Sequence, residues 1–496
     1  MTKRQPKQRS KSSHNTGKLS FDDMENMLYT LFDDTANGIE GCGARELTET
    51  TLGMARIVKI LLQQRKSKEE DSSGVILRRL LLSIEMTPNS ELFKHFANAS
   101  VRKLDQFNAR DLSNLAYAYA LIDFVPEFDD GSDLFDHIAI NAVDIHRKFN
   151  AQDISNMTWA YATVGKPDAA LFEAMGDQIV ASNLLKEFRP QALSNTVWAY
   201  ATADVPHAKI FEKVANHIVE SDSLGRFDPQ ALSNIVWAYA AAQFPHPKMF
   251  RKVAEAAIRS KGEFISQDVA NLLWSYATMG ITDKQLFLSI VPTAAKLIDS
   301  YTNQGLANIA WAYAVADVNA PPLFNAHFIN KCVEKEDGFE IENYTQLYQW
   351  YLWQANEISH PGPGLPTDFQ NRCHEIFISR EPRVSKLQDD VVAQLSYIGL
   401  DPKEEVLLDS GYRIDALVEM NGKQVGIEVD GPYHFIGKSR SRSPLGSTIL
   451  KRRQVPLIDG IELVSVPYWK WDKLGKDEVK KQEYLRNLLS VKSDNA

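Results

Sequence analysis

The sequence has few cysteines and no long apolar run. No stretch approaches the roughly 18 apolar residues that a membrane-spanning helix needs, which argues against an integral membrane protein. The three cysteines, Cys42, Cys332 and Cys373, are odd in number and widely separated. Such spacing fits neither a disulfide framework nor a zinc site, so a reducing compartment is the default expectation.

The sequence also lacks an excess of positive charge. The formal net charge is −9 over 496 residues, which argues against a protein that coats nucleic acid indiscriminately. Local basic patches can still bind phosphates, because the potential at a surface depends on the nearby charges. A hydrophobic share of 44% and a charged share of 24% are those of an ordinary globular protein.

The chain is too long for one hydrophobic core, and its composition divides it into five parts. Residues 1–20 carry six basic and no acidic side chains. They have too few apolar residues to fold alone, so we predict a disordered tail whose composition is compatible with organelle targeting. Residues 21–100 are predicted to form irregular helices, 101–355 a repeat array, 356–384 a linker and 385–496 a C-terminal domain.

A ten-residue segment recurs in register along the middle of the chain. One copy is ALSNIVWAYA at residues 231–240, and the shared asparagine of the six copies recurs at intervals of 42, 39, 39, 37 and 37 residues. Such a period fits one pair of helices per repeat, stacked as an α-solenoid. The shared positions are Asn114, Asn156, Asn195, Asn234, Asn271 and Asn308. A weaker seventh unit, which begins at Tyr344, is predicted to close the array.

The first helix of each repeat is predicted to have two buried sides. In the copy that starts after Asp228-Pro229, a strong helix start, Leu232, Val236 and Tyr239 form one stripe. The residues of the adjacent stripe are Ser233, Trp237 and Ala240. A stacked layer requires burial on both sides.

A narrower polar stripe lies on the same helix. In most repeats a glutamine precedes the asparagine by four residues, so both amides share one helical face. Four of these pairs are Gln191 with Asn195, Gln230 with Asn234, Gln267 with Asn271, and Gln304 with Asn308. These amides could hydrogen-bond the base edges of a single RNA strand. Their near identity in every repeat instead favours structural hydrogen bonds between helices.

The L-S/A-N-x-x-W-A-Y-A core at this spacing resembles the octotricopeptide repeat and its relatives, which are helical-hairpin arrays of organelle RNA-binding proteins. The resemblance covers about residues 101–355. It implies an array that binds RNA, although stacked helix pairs also serve as protein scaffolds.

A β-hairpin is predicted near the C-terminus. The dipeptide Asn421-Gly422 is the strongest short signal for a two-residue type I′ turn, and this turn pairs Met420 with Lys423. The same register gives two further pairs, Asp415 with Glu428 and Arg413 with Asp430. The face of Ile414, Ala416, Val418, Val425, Ile427 and Val429 is then apolar, and the opposite face is charged.

The charged face could hold a metal ion. Two carboxylates opposite each other repel, so Asp415 and Glu428 need a compensating metal, cation or shared proton. Carboxylate oxygens, with water and substrate phosphate, are ligands that Mg²⁺ accepts. The alternative is that Asp430 pairs with Arg413 on a solvated sheet face, and the pattern does not separate the two interpretations.

The surrounding segments predict a small α/β fold. A helix from about Ser385 to Tyr397 precedes the hairpin, a helix near 447–455 follows it, and the strand Ile461 to Val466 comes last. The motifs IEVDGPYHF at 427–435, STILKRR at 447–453 and VPYWKW at 466–471 are similar to the RAP domain. That domain ends many octotricopeptide-type proteins and FAST-kinase-like mitochondrial proteins.

RAP domains in turn resemble the PD-(D/E)XK nuclease fold, which implies a small restriction-endonuclease-like domain. The resemblance carries the two metal carboxylates of that fold onto Asp415 and Glu428. Asp430 stands where the fold usually has its lysine. His434 could act as the base or as an extra ligand, and Lys451 could substitute for the lysine. A lone histidine beside a turn is otherwise a surface residue.

A basic run follows the hairpin and predicts a phosphate track. No acidic residue interrupts 438–453, and the basic side chains are Lys438, Arg440, Arg442, Lys451, Arg452 and Arg453. Aromatic side chains nearby could stack on bases if they are exposed, but we expect most of them to be core. They are Tyr433, Phe435, Trp469 and Trp471.

Three functional hypotheses follow. The leading one is a single-stranded RNA-binding protein of a mitochondrion or chloroplast that acts in RNA processing, stability or ribosomal RNA handling, with organelle ribosome or RNA-processing proteins as partners. The second is a Mg²⁺-dependent endoribonuclease, which requires Asp415, Glu428 and Asp430 to meet at one solvent-open point. The third is a protein-interaction scaffold.

Overall fold

The computed structural model describes residues 38–67, 91–205, 207–221, 223–356, 364–379, 385–437 and 442–493, together with Thr30, Asp34 and Thr35. The tail predicted for residues 1–20 lies outside the described residues, as do parts of the predicted linker. No described helix is long and apolar enough to cross a membrane.

Helices dominate the described chain, and the only sheet among the described residues is in the C-terminal part. The helices up to the end of the array are α1 (Ala44–Ser67), α2 (Glu91–Val101), α3 (Ala109–Leu121), α4 (Leu134–Asp144), α5 (Ala151–Thr163), α6 (Ala169–Ala181), α7 (Pro190–Thr202), α8 (Ala208–Glu220), α9 (Pro229–Ala241), α10 (Pro247–Ser260), α11 (Ser266–Thr278), α12 (Lys284–Lys296), α13 (Asn303–Ala316), α14 (Ala326–Glu334) and α15 (Ile341–Ala355). The remaining elements are α16 (Thr367–Ile378), α17 (Lys386–Tyr397), β1 (Lys403–Leu407), β2 (Arg413–Met420), β3 (Lys423–Asp430), α18 (Gly446–Ile458), β4 (Glu462–Pro467), α19 (Tyr468–Asp472) and α20 (Glu478–Ser493). The predicted fold class, an α-solenoid followed by a small α/β domain, is confirmed.

The chain forms two compact units. The first comprises residues 1–149 and 163–171, and in it α1 packs against both α2 and α3. The second comprises residues 150–162 and 172–496. There the first helices of successive repeats, α7, α9, α11, α13 and α15, pack side by side, and so do the second helices α8, α10 and α12. The predicted pair of helices per repeat is therefore present.

In five of the six repeats, a buried tyrosine joins the first helix to the second helix that precedes it. The tyrosine of the WAYA segment donates its hydroxyl hydrogen to the backbone carbonyl of a phenylalanine in the preceding second helix. The distances are 2.6 Å for Tyr119 to Phe93, 2.5 Å for Tyr200 to Phe172, 2.6 Å for Tyr239 to Phe211, 2.6 Å for Tyr276 to Phe250, and 2.9 Å for Tyr313 to Phe287. The rings of the same pairs meet edge to face, as Phe211 and Tyr239 do with centroids 5.1 Å apart. Each tie thus combines a satisfied buried hydroxyl with an aromatic contact.

The C-terminal domain is a four-stranded sheet in the order β1-β2-β3-β4. The hairpin β2-β3 has the predicted register from Met420 opposite Lys423 to Ala416 opposite Ile427, and both turn residues have positive φ. Strand β4 runs parallel to β3, which the crossover helix α18 allows. Of the predicted apolar face, Ala416, Val418, Val425, Ile427 and Val429 are buried with residues of α17, β4, α19 and α20, so the charged face lies on the side of the sheet away from this core. The placement of Ile414 on that apolar face is wrong, because Ile414 is buried on the opposite face, beside Leu463 and the backbone of Gly426.

The C-terminal domain is fixed to the last repeats within the second unit. The Tyr412 hydroxyl accepts a hydrogen bond from the Gln349 amide at 3.1 Å and donates to Gln454 at 2.6 Å, and Gln454 donates to the Gln349 carbonyl at 2.8 Å. Gly446 opens α18 against α11, where a Cβ would overlap the carbonyl oxygen of Ala277. Three polar groups and one close backbone approach therefore hold the domain against the array.

Removing one tie should weaken the array measurably. In Tyr239→Phe the carbonyl of Phe211 loses its buried donor, so we expect the free energy of unfolding to fall by about 1 kcal/mol. Urea denaturation followed by circular dichroism measures this change. Tyr301→Phe is the matched control, because the equally buried Tyr301 hydroxyl has no hydrogen-bond partner among the described residues. Removal of the Tyr301 hydroxyl should leave the free energy of unfolding unchanged or raise it. An equal decrease in both variants would contradict a stabilising role for the hydrogen bond of Tyr239.

Candidate functional site

The charged face of the sheet lies beneath α18, and its acids are buried rather than open. Glu428 in β3 is 3% exposed. The Lys451 ammonium lies 2.7 Å from both of its carboxylate oxygens and donates to Oε2. Neighbouring carboxylates need a metal, cation or shared proton to offset their repulsion, and Lys451 supplies a cation beside Glu428.

Asp430, at the end of β3, is fully buried and joins three partners. It lies 2.9 Å from His434 Nδ1 and 2.5 Å from Arg452 Nη2, and it accepts a hydrogen bond from the Ser465 hydroxyl. Arg452 also donates to Ser465 Oγ at 3.0 Å. Asp430 therefore orients one histidine and one arginine whose side chains are partly exposed, 40% and 31% respectively.

Asp415 lies where the regular hairpin pairing ends. Its Oδ2 accepts a hydrogen bond from the Val429 backbone N–H at 2.6 Å. The ion pair considered between Arg413 and Asp430 is wrong. Arg413 instead donates to the Glu405 carbonyl at 3.2 Å, because Arg413 lies opposite Leu407 of β1, a strand that the sequence analysis did not predict.

Burial and neighbours shift the pKa values of these groups in different directions. Burial raises the pKa of Glu428 to about 7, although the Lys451 charge partly opposes it. Burial also raises the pKa of Asp415, against the hydrogen bond from Val429. For Asp430, burial alone would raise the pKa, but the hydrogen bonds from His434 and Ser465 and the Arg452 charge outweigh it and lower the pKa. The hydrogen bond to Asp430 raises the pKa of His434. Near neutral pH, Glu428 is thus able to exchange a proton.

The predicted Mg²⁺ ligands do not fit a divalent ion as they are arranged. Within the described part of the chain, no three His, Cys, Asp or Glu side chains are grouped so that they could hold one metal ion. Lys451 occupies the approach to Glu428, and Asp430 is engaged by Arg452, His434 and Ser465. A metal would have to displace an ammonium or a guanidinium group.

The basic residues predicted as a phosphate track have separate roles. Lys451 and Arg452 are anchored on the buried acids. Arg453 turns to the array and donates to the carbonyls of Ala314 and Val315 in the last turn of α13. Arg442 is exposed, with its guanidinium 5.7 Å from the centre of the Trp469 ring. Lys438 and Arg440 lie outside the described residues.

Two of the four aromatic side chains near this site are buried, and the other two are at least partly exposed. Phe435 and Trp471 are core, each 2% exposed. Tyr433 is 71% exposed and Trp469 is half-buried. The surface of the C-terminal domain therefore presents His434, Lys451 and Arg452 above buried acids, with Arg442, Trp469 and Tyr433 in neighbouring segments of the chain.

The amide stripe of the array is mostly free of internal partners. Glutamines 191, 230 and 267 are exposed, and asparagines 195, 234 and 271 are half-buried. Among the described residues, no hydrogen bond or ion pair involves these six side chains. The structural hydrogen bond between helices occurs at Asn308, which accepts from Gln346 at 3.1 Å. In α5, Gln152 donates to Asn156 of the same helix. In α7, α9 and α11 the described residues therefore contain no hydrogen bond of the predicted structural kind, and the role of the stripe stays a prediction.

Two features of these surfaces were not predicted from the sequence. Ser465 in β4 was not singled out, because a lone serine in an apolar strand carries no signal. Trp237 was assigned to a buried side, yet Trp198, Trp237 and Trp274 are only half-buried. The signal that could have revealed this was their position three residues after the asparagine, on the face of the polar stripe.

Comparison with known families gives two matches. The family described as RNA-editing substrate-binding complex 6 protein matches residues 126–333, and the RAP domain matches residues 427–488. The first match lies within the helical repeats, and the second runs from β3 to α20, so Asp415 lies outside it. No curated protein matches the chain.

The raised pKa of Glu428 predicts a specific loss of stability with rising pH. Its folded pKa of about 7 lies above the ordinary 4.5, so its contribution to stability is complete below the ordinary value and is lost as the pH rises through the folded one. We expect the free energy of unfolding to fall less in Glu428→Gln than in the wild type as the pH rises between these two pKa values. The difference between the two decreases should be at most about 3 kcal/mol. Urea denaturation at a series of pH values measures the slope.

The control for this prediction is Glu419→Gln, at an exposed glutamate of the same hairpin. It should keep the slope of the wild type. An unchanged slope in Glu428→Gln would contradict the raised pKa.

Proposed function

Since this chain is a helical-repeat protein with a C-terminal RAP domain, and is RNA-associated by both of its family matches, we propose that it binds single-stranded RNA and acts in RNA processing, RNA stability or ribosomal RNA handling. The array holds the strand, and the RAP domain contacts its phosphates. RNA-processing proteins or an organelle ribosome are the corresponding partners.

The observation that carries this proposal is the row of unpartnered amides on α7, α9 and α11. Amide side chains with a purely structural role would be expected to form hydrogen bonds within the protein, because buried polar groups normally find partners. Here the side chains of Asn195, Asn234 and Asn271 are half-exposed and bond to nothing within the described residues. Each amide offers both a donor and an acceptor, which the base edges of an unpaired strand can use.

The RAP domain supports the proposal through its partly exposed basic side chains. His434, Lys451 and Arg452 are held by buried carboxylates, so their side chains are ordered before an anion arrives. A fixed cation loses little conformational entropy on binding phosphate. The Gln349, Tyr412 and Gln454 hydrogen bonds keep this surface attached to the end of the array.

We place the protein in a mitochondrion. The acid-free basic composition of residues 1–20 and the likeness of the C-terminal motifs to FAST-kinase-like mitochondrial proteins support this location, and no match favours a chloroplast. Imaging the full chain with a C-terminal fluorescent tag tests it, and a signal outside mitochondria would overturn it.

Binding is favoured over cleavage because the acids are buried and paired. The endoribonuclease alternative needs Asp415, Glu428 and Asp430 open to one point, whereas Glu428 and Asp430 are 3% and 0% exposed. Incubating the protein with RNA and Mg²⁺ separates the two functions. Cleavage that Glu428→Gln abolishes would support the nuclease, and recovery of intact RNA would support binding.

Replacing the free glutamines should weaken RNA binding. We expect the triple variant Gln191→Ala, Gln230→Ala, Gln267→Ala to bind a random single-stranded RNA pool roughly tenfold more weakly, since each lost hydrogen bond contributes about 0.5–1.5 kcal/mol. Fluorescence anisotropy at several salt concentrations measures the affinity and its salt slope.

The matched control replaces exposed amides on second helices, Gln285→Ala with Asn330→Ala, and should bind like the wild type. If the wild type shows no salt-dependent affinity for the pool, RNA binding itself is wrong. If both variants bind alike, the amide stripe is not the contact surface, and the scaffold hypothesis gains support.

A further inference from the structure

Three tryptophans form a regular row along the array. Trp198, Trp237 and Trp274 occupy the same position in α7, α9 and α11. The ring centroids of Trp198 and Trp237 are 6.4 Å apart with planes inclined by 32°, and those of Trp237 and Trp274 are 6.5 Å apart with planes inclined by 30°. The three rings therefore repeat with nearly constant spacing and inclination, one per repeat.

The row faces outward rather than into the core. All three side chains are half-buried, whereas Trp311 at the same position in α13 is 6% exposed and Trp350 in α15 is fully buried. The three indole N–H groups have no acceptor among the described residues and retain access to solvent. Buried tryptophans usually bond their N–H, so these rings retain unused aromatic surface and an unused donor.

The surface around the row favours nucleic acid as its occupant. Each ring lies three residues after the asparagine and seven after the glutamine of the amide stripe, so ring and amides share one helical face. One turn beyond the rings, the same face carries Thr202, Ala241 and Thr278. The stripe therefore holds no carboxylate that would repel phosphate, although the whole chain has a net charge of −9.

The row also leads toward the RAP domain. Its last ring, Trp274, is in α11, and the end of α11 is covered by Gly446 at the start of α18. An RNA strand that follows the tryptophan row thus reaches α18, the helix that carries Lys451 and Arg452. Aromatic rings beside a cationic surface are the two components of single-strand binding sites.

We propose that Trp198, Trp237 and Trp274 are a stacking ladder that takes one unpaired RNA base per ring. This inference rests on the proposed RNA binding and deepens it. The ring spacing is nearly twice the rise of about 3.4 Å between stacked bases, so bases on successive rings are separated from one another. The ladder excludes a duplex. It favours strands that unstack easily, and it accepts every base because every base has a π-face.

The test uses the full chain and a twelve-residue oligouridine. The triple variant Trp198→Leu, Trp237→Leu, Trp274→Leu should bind it at least about tenfold more weakly, and the corresponding triple phenylalanine variant should retain most of the affinity. Wild type should bind oligouridine more tightly than oligoadenosine, whose stacked bases must first separate. Tyr397→Leu, which removes an exposed aromatic ring from α17, should bind like the wild type.

A second measurement does not depend on the variants folding. Wild type is titrated with an oligomer of the same length that carries an abasic ribose at every position, and we expect it to bind about as weakly as oligouridine binds the leucine variant. Equal affinity for the abasic and the intact oligomer would overturn the ladder while RNA binding stands. Failure to bind the random RNA pool at any salt concentration would instead overturn the proposed function.

Discussion

The hydrogen bond from a buried tyrosine to a phenylalanine carbonyl is the constraint on which the array depends. A hydroxyl that is removed from water normally finds an acceptor, and in five repeats the acceptor is one oxygen of the preceding second helix. The bond therefore sets both the distance and the rotation between neighbouring repeats. Trp237 lies two residues before Tyr239 on the same helix, so the even spacing of the tryptophan rings follows from the same constraint.

In the RAP domain, the buried acidic side chains hold the basic side chains in place. Glu428 and Asp430 lie in the strand that is sheltered on both faces, and each holds a cation of α18 in place. The resemblance to a nuclease fold directs attention to the carboxylates as metal ligands. The contacts show both carboxylates paired with cations, Glu428 with the ammonium of Lys451 and Asp430 with the guanidinium of Arg452.

Much of this arrangement follows from local sequence. The dipeptide Asn421-Gly422 determines the hairpin register, since its turn geometry is local, and the six asparagines reveal the repeat, since each unit is built alike. The directions of Lys451 and Arg453 could not be predicted. They are two residues apart on one helix and chemically similar, yet one contacts β3 and the other contacts α13, because long-range docking decides which side of α18 meets which neighbour. The exposure of Trp237 was missed for a related reason: helical periodicity groups residues by face but does not say which face a neighbour covers.

The range of the tyrosine bond has a consequence for how such proteins can change in length. Each bond joins only adjacent repeats, over 26 or 28 residues of chain, so a repeat inserted between two others would restore every bond it interrupts. The RAP domain, in contrast, is attached through Gln349 and Arg453 to the final helices. The number of repeats can therefore vary at one end of the array while the other end stays fixed. In the proposed mode of RNA binding, the RAP domain is then the fixed point from which position along the RNA is counted.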